Sequence, residues 1–220
     1  MKRQAIAIDG PSASGKSTIA RLLADRLHMD YLDTGAMYRA ITLFALESGV
    51  DPENEEEVNR LLDRVEITFN DGDILVNGKV CTREIRTDEV TRAVSPVSSY
   101  KKVREKMVDQ QRKIAGDRPV ILDGRDIGTV VLPDALLKIF LTASPEVRAQ
   151  RRLKDDKSAS TMDYQALLVA IKKRDDFDSH RAISPLRPAE DAILIDSSDM
   201  TIDQVLEKIQ GLWEEKQCTL

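Results

Sequence analysis

Apolar positions along the chain follow two alternating periods. Ala5-Ile6-Ala7-Ile8 is a short unbroken apolar run that stops at Asp9-Gly10-Pro11, the pattern of a strand buried on both faces and ending in a turn. From Ser17 to Leu27 the residues Ile19, Ala20, Leu22, Leu23 and Leu27 fall at helical spacing. The exchange then recurs: a brief strand at Tyr31-Leu32, a helix from Ala36 to Glu47 closed by Gly49, Asp51 and Pro52, and an acidic helix over about 53–64. Further along, the pattern predicts a long helix from Pro96 to Gly116 and a buried strand at Pro119-Val120-Ile121-Leu122. A strand over Leu136 to Leu141 and a helix from Pro145 to Lys154, with proline at a tolerated early position, come next. A helix over about 163–176, a strand at Ala192 to Ile195 and a helix from Ile202 to Glu215 close the chain. Strands alternating with helices predict an α/β fold whose parallel sheet is covered on both faces.

Two segments break the rhythm. Val65 to Phe69 alternates, Asn70-Asp71-Gly72-Asp73 reads as a turn, Ile74-Leu75-Val76 is apolar, and Asn77-Gly78 is a strong hairpin signal before Lys79-Val80-Cys81. Three such short strands are barely stable alone, so residues 65–90 are expected to be a small insertion leaning on the main body. Residues 155–161 have low hydrophobicity and predict a mobile loop, within a lid region of 145–162.

Composition narrows the class. A chain of 220 residues, 41% hydrophobic and 32% charged, fits one domain with a sizeable core, numbered here 1–220. With 33 Lys and Arg against 38 Asp and Glu, the net charge of −5 argues against general nucleic-acid binding, though a local basic pocket remains open. The two cysteines, Cys81 and Cys218, make no disulfide framework, and the first apolar stretch is too short for a signal peptide or a membrane span. A cytoplasmic protein without membrane or nucleic-acid partners is expected.

The strongest chemical signal is Gly10-Pro11-Ser12-Ala13-Ser14-Gly15-Lys16-Ser17, which fits G-x-x-x-x-G-K-[ST] between a buried strand and a helix. The glycines allow successive N–H groups to turn toward phosphate oxygens, and the helix start adds its positive dipole end. Lys16 reaches the β- and γ-phosphates, and the Ser17 hydroxyl is the candidate ligand for Mg²⁺. Residues 10 to 18, from Gly10 through Thr18, are therefore the candidate ATP-binding set. Such a loop does not name its reaction. A GTPase would need Asn-Lys-x-Asp and Asp-x-x-Gly, neither of which occurs, and a motor would need further domains. A small-molecule kinase needs a second anionic pocket.

Candidates for that pocket exist, each with an ordinary reading beside the functional one. Asp33-Thr34-Gly35-Ala36-Met37-Tyr38-Arg39 follows the second strand, so Thr34 can cap a helix whose Arg39 is either a surface cation or a phosphate clamp. Asp123-Gly124-Arg125-Asp126 sits at the carboxyl end of a buried strand, where open α/β sheets bind ligands, or is a simple turn. Arg174, Asp178 and Arg181 fall at i, i+4 and i+7, and Arg148, Arg151 and Arg152 at i, i+3 and i+4; charge runs of this kind are commonly solvated faces.

Taken together and in this order, these segments, with Ile127-Gly128-Thr129 and Ser184-Pro185-Leu186, resemble bacterial cytidylate kinases (CMP kinases), nucleoside monophosphate kinases of the P-loop kinase fold. The resemblance spans nearly the whole chain, and it makes the 65–90 insertion similar to the extra sheet that bacterial members carry near the monophosphate site. It implies ATP-dependent phosphorylation of CMP and dCMP with Mg²⁺. Cytosine would be read by Ser95, Arg104 and Asp126, the acceptor phosphate held by Arg39, Arg125 and Arg181, and the sugar by Asp178 with Arg174; Thr34 joins this set. Lys16, Arg151, Arg152 and Arg181 would carry catalysis, with Arg148 among the lid arginines and Asp196-Ser197-Ser198 near the ATP base. The phosphate nucleophile, with a second pKa near ~6, needs no general base, which leaves His28 as a helix-end residue and His180 as a neighbour of the site. A monomer is expected. The alternatives are a kinase acting on AMP, UMP or shikimate, and an NTP-binding module without catalysis.

Overall fold

The computed structural model describes residues 2–70, 72–154 and 162–218. In chain order its first half comprises β1 (Arg3–Asp9), α1 (Lys16–Leu27), β2 (Asp30–Asp33), α2 (Thr34–Glu47), α3 (Glu55–Leu61), β3 (Ile67–Asn70), β4 (Asp73–Val76) and β5 (Lys79–Val80). There follow α4 (Asp88–Val97), α5 (Lys101–Ala115), β6 (Val120–Gly124), β7 (Ala135–Thr142), α6 (Pro145–Lys154), α7 (Tyr164–His180), β8 (Ile193–Asp196) and α8 (Ile202–Cys218). A π-helical turn at Ile127–Val131 follows β6.

Five strands form the main sheet in the order β2-β6-β1-β7-β8, every neighbouring pair parallel. β1 lies at its centre, and its unbroken apolar run serves two cores. Ala5 and Ala7 face α2, packing with Met37, Ala40 and Ile41, while Ile6 and Ile8 face α1 and α8, packing with Ile19, Leu23, Ile209 and Trp213. That split is the two-residue period of a strand with both faces covered. The register sets Asp9 beside Gly124, Asp33 beside Asp123 and Thr142 beside Asp196. The strands therefore finish level, and their polar ends meet along one carboxyl edge, where ligands bind in sheets of this kind.

The second sheet, β3-β4-β5, is antiparallel. Asn77 (φ 49°) and Gly78 (φ 78°) both take left-handed backbone, which a two-residue hairpin turn requires. Ile67, Ile74, Val76, Cys81 and Ile85 join the core beneath α2. On the other side, Lys106 and Gln110 of α5 donate to the carbonyls of Leu62, Val65 and Ile67. The small sheet is thus wedged between two helices, with its β3 edge covered.

Three boundaries differ from the sequence pattern. The single helix expected from Pro96 to Gly116 is two. α4 starts at Asp88, where the Thr87 side chain accepts from the Val90 N–H, and Pro96 lies in its last turn. The Ser98 and Ser99 hydroxyls then bond back to the Ser95 and Pro96 carbonyls, and extended Tyr100 starts α5 afresh. The acidic helix opens at Glu55, because the Asn54 side chain accepts from the Glu57 N–H. α7 runs to His180, a turn beyond the 163–176 expected. The proposed turn residue Asp71 and the loop at 155–161 lie outside the described residues.

Candidate active site

The loop between β1 and α1 opens the site. A Cβ on Gly10 would collide with the Leu141 carbonyl oxygen, so only glycine lets β1 turn against β7 at this point. Ala13 (φ 59°) and Gly15 (φ 90°) are left-handed, and Gly15 caps α1 without any side-chain bond, leaving the first N–H groups of that helix free for an anion. Lys16 folds back over the loop, with Nζ donating to the Pro11 carbonyl at 3.2 Å. Burial, aided by the nearby Arg125 charge, pushes its ammonium down to about 7 against the opposing pull of Asp123 and Asp33. The buried Ser14 hydroxyl has no hydrogen-bond partner among the described residues.

Beside this loop lies a residue that the motif reading quoted without assigning it a role. Asp123, at the end of β6 and 2% exposed, accepts from Ser17 Oγ at 2.7 Å and from Tyr31 Oη at 2.8 Å. Burial, with Asp33 alongside, raises its carboxyl to about 6, while Lys16 pulls the other way. Its backbone carbonyl accepts from Thr34 Oγ1 at 2.7 Å. Thr34 is therefore not the helix cap expected. Asp33 caps α2 by accepting from the Ala36 N–H, which frees the threonine hydroxyl to tie α2 to β6. The signal for Asp123 was present: an aspartate ending the buried strand next to the phosphate-loop strand. Asp9 was missed too. Its two carboxylate oxygens accept from Ile127 N at 2.7 Å and Gly128 N at 2.8 Å, pinning the turn that follows Arg125 and Asp126, and burial raises its carboxyl to about 7.

Across the carboxyl edge, arginines and aspartates from distant parts of the chain converge. Asp178, 2% exposed on α7, accepts from Arg125 Nε at 2.9 Å and lies 3.7 Å from Arg174 Nε. Burial opposes its ionisation, but Arg125 and Arg174 outweigh that and hold its carboxyl below the usual range. Arg39 donates to Thr91 Oγ1 at 2.8 Å; burial, with Arg174, Arg152 and Arg86 close by, lowers it to about 9 despite Asp33. Arg174 falls to about 10 through burial, against Asp178 and with Arg125, Arg152 and Arg181 adding repulsion. These mutual influences place five guanidinium groups, those of Arg39, Arg125, Arg152, Arg174 and Arg181, in one neighbourhood. Arg181 sits just past the end of α7 in extended backbone, so it leaves the helical face and turns toward Asp126 at 4.0 Å.

Asp126 and Arg104 form a buried ion pair, 5% and 4% exposed. Arg104 also donates to the Ser98 carbonyl at 3.0 Å and lies 5.4 Å above the Tyr38 ring. Ser95 precedes this contact by one helical turn, its carbonyl accepting from Ser98 Oγ. Buried donors with no hydrogen bond among the described residues gather here: Arg104 Nε, Arg174 Nε and Arg181 Nη2. Oriented, unsatisfied guanidinium donors are what an anionic polar ligand requires.

Of the α6 arginines, Arg151 lies on the phosphate loop, donating to the carbonyls of Ser14 (3.2 Å) and Ser197 (2.6 Å). That contact brings the Asp196-Ser197-Ser198 segment to the donor side. Arg152 is half-buried and acts on Arg39 and Arg174. Arg148 also reaches the phosphate loop, donating to the Ser12 carbonyl at 3.2 Å, but its guanidinium is buried in a bidentate pair with Asp175. The histidines stand aside, His28 as the left-handed end of α1 and His180 exposed. Two surface cavities, of about 580 and 360 Å³, line the outer sides of α4 and α5 and contain none of these residues.

Comparison with known proteins gives the family. The chain is 47% identical over 220 residues to the cytidylate kinase of Bacillus subtilis, covering 98% of each chain. It is 49% identical over 214 residues to that of Leuconostoc mesenteroides subsp. mesenteroides, covering 95% of this chain and 96% of that one. A shikimate kinase structure from Bacteroides thetaiotaomicron superposes with a TM-score of 0.51 over 96% of this chain and 98% of that chain, at 11% identity, a likeness of fold alone. The family model described as Cytidylate kinase matches residues 6–215, and the chain belongs to that family.

Proposed function

We propose that the protein transfers the γ-phosphoryl group of ATP to CMP or dCMP, yielding ADP and CDP or dCDP. The observation that carries this reading is the buried Arg104–Asp126 pair, set among phosphate-binding arginines opposite the donor loop. Cytosine presents an amino donor beside ring and carbonyl acceptors, which suits a carboxylate next to a guanidinium. Uracil would set a carbonyl against Asp126 and leave buried polar groups unpaired, a strong ground for rejection. Ser95 completes the base site, Arg39, Arg125 and Arg181 hold the acceptor phosphate, and Asp178 with Arg174 and Thr34 line the sugar side.

The attacking phosphate oxygen is already ionised, so the protein's task is to bring two highly charged groups into line. Residues 10–18 cradle the ATP phosphates through backbone N–H groups and Lys16. Arg151 closes on the donor side, and Arg152 stands between it and the arginines facing the acceptor. Ser17 Oγ and Asp123 Oδ2, 2.7 Å apart, are adjacent hard oxygen donors that fit Mg²⁺. Such a pair would share the ion with substrate phosphates and water. When bound there, Mg²⁺ would neutralise charge on the β- and γ-phosphates. No described helix is long and apolar enough to cross a membrane.

A coupled ADP-release assay with CMP, dCMP, UMP, AMP, GMP and shikimate tests the reading. CMP and dCMP should turn over far faster than the rest. Preference for another acceptor overturns the base assignment, and ATP binding without turnover on any of them overturns the kinase reading.

A further inference from the structure

We infer that Arg148 and Asp175 form a strut that sets the phosphate loop against the acceptor helix, making both of them positioning residues for the transfer. The inference rests on the reading of donor and acceptor sides given above.

The Arg148 guanidinium is 3% exposed, and its bonds reach three separate pieces of backbone or side chain. Nε donates to the Ala143 carbonyl at 2.8 Å, where β7 gives way to α6. Nη1 donates to the Ser12 carbonyl of the phosphate loop at 3.2 Å and to Asp175 Oδ1 at 2.9 Å, and Nη2 to Asp175 Oδ2 at 2.6 Å. Four N–H groups of the five are thereby engaged. A guanidinium so saturated is poorly placed to bind a moving phosphoryl group.

What it joins is informative. Ser12 lies inside the donor loop. Asp175 lies on α7 directly after Arg174 and less than one turn before Asp178, the residues that face the acceptor. A helix is stiff over one turn, so fixing Asp175 fixes Arg174 and Asp178 with it. The fork–fork geometry defines both distance and orientation, which a lysine, as a point charge, could not do. In-line transfer depends on that relation, because a shift of about 1 Å in the alignment of reacting groups can cost roughly a hundredfold in rate.

The test compares kcat with KM in the ADP-release assay, together with thermal unfolding. Asp175→Asn keeps the shape but weakens the fork. Its kcat on CMP should fall by about tenfold to a hundredfold, while KM for ATP and for CMP each stay within about threefold. A kcat within about twofold of the parent, whatever the unfolding temperature does, overturns the strut, as does a loss confined to the KM of one substrate. If Asp175→Asn does not fold, Arg148→Lys decides in its place. It keeps the charge and loses the fork, so kcat should fall about tenfold, and an unchanged kcat overturns the inference. The parent's turnover on CMP separates the two readings: an inactive parent refutes the substrate assignment, whereas an active parent with an equally active variant refutes only the strut.

Discussion

In the proposed assignment the donor side of the cleft is built from consecutive residues, Gly10 to Thr18, and would work mainly through backbone. The proposed acceptor side draws on α2, α4, α5, the turn after β6 and the end of α7, from Thr34 to Arg181, and would work through side chains. The donor loop needs glycines and one lysine, and it serves any nucleoside triphosphate. The acceptor side must hold several like charges together before any substrate arrives. It does so by setting buried carboxylates among them: Asp178 between Arg125 and Arg174, and Asp126 between Arg104 and Arg181. Generic chemistry is encoded locally, whereas selectivity depends on the whole topology.

The widest separation between the two sides should come from Lys16→Ala. Its side chain alone supplies charge to the transferring group from the loop, so kcat should fall by about a thousandfold or more while CMP binding survives. Loss of CMP affinity on the same scale would mean that the two sides are not separable. Asp126→Asn should do the reverse. The amide loses the ionised partner of Arg104, and the preference for CMP over UMP should drop by about tenfold to a hundredfold with the KM for ATP nearly unchanged. A change in ATP affinity alone would move Asp126 to the donor side.

The same contrast governs what could be read from the sequence. The phosphate loop was legible because its conformation follows from glycine spacing and from the strand and helix that flank it. The parallel sheet was legible from unbroken apolar runs such as Ala5 to Ile8. Charge runs at helical spacing named the acceptor arginines only as possible sites, and resemblance selected among them. What neither of them supplied is tertiary. Arg148 shares a face with Arg151 and Arg152, but one turn of α6 places it against Asp175, a partner 27 residues away in the chain. Asp9 and Asp123 carry no local pattern beyond ending a strand; their partners, the Ile127 and Gly128 N–H groups and the Ser17 and Tyr31 hydroxyls, become neighbours only when the strands align. Thr34 lost the capping role to Asp33 because its hydroxyl had a buried carbonyl to satisfy.

Tyr31 offers a finer probe of the donor side. Burial and the neighbouring Asp123 charge raise its phenol, so it remains a donor that orients the Asp123 carboxylate toward Ser17. Tyr31→Phe should raise the Mg²⁺ concentration for half-maximal turnover by about tenfold, and ATP-dependent thermal stabilisation should need correspondingly more Mg²⁺. An unchanged Mg²⁺ requirement would leave Asp123 oriented by Ser17 alone.

The smallest effect concerns a single proton. Lys16, held near 7 by burial and by Arg125 rather than at its usual 10.5, carries fewer protons in the folded chain than in the unfolded chain across that interval. Its contribution therefore penalises folding below about 7, and the penalty is relieved as pH rises toward 10.5. ATP reverses the balance, since the triphosphate charge favours the ammonium form. At pH 8 and without Mg²⁺, which would also act on Asp123, ATP binding should take up close to one proton; at pH 6 Lys16 should take up almost none, and the part-protonated terminal phosphate should release some instead. Calorimetry in buffers of different ionisation enthalpy measures this directly, and Lys16→Met should abolish the uptake. If the parent takes up no proton at pH 8, the lysine is already charged before ATP arrives, and the donor side, like the acceptor side, assembles its positive charge in advance.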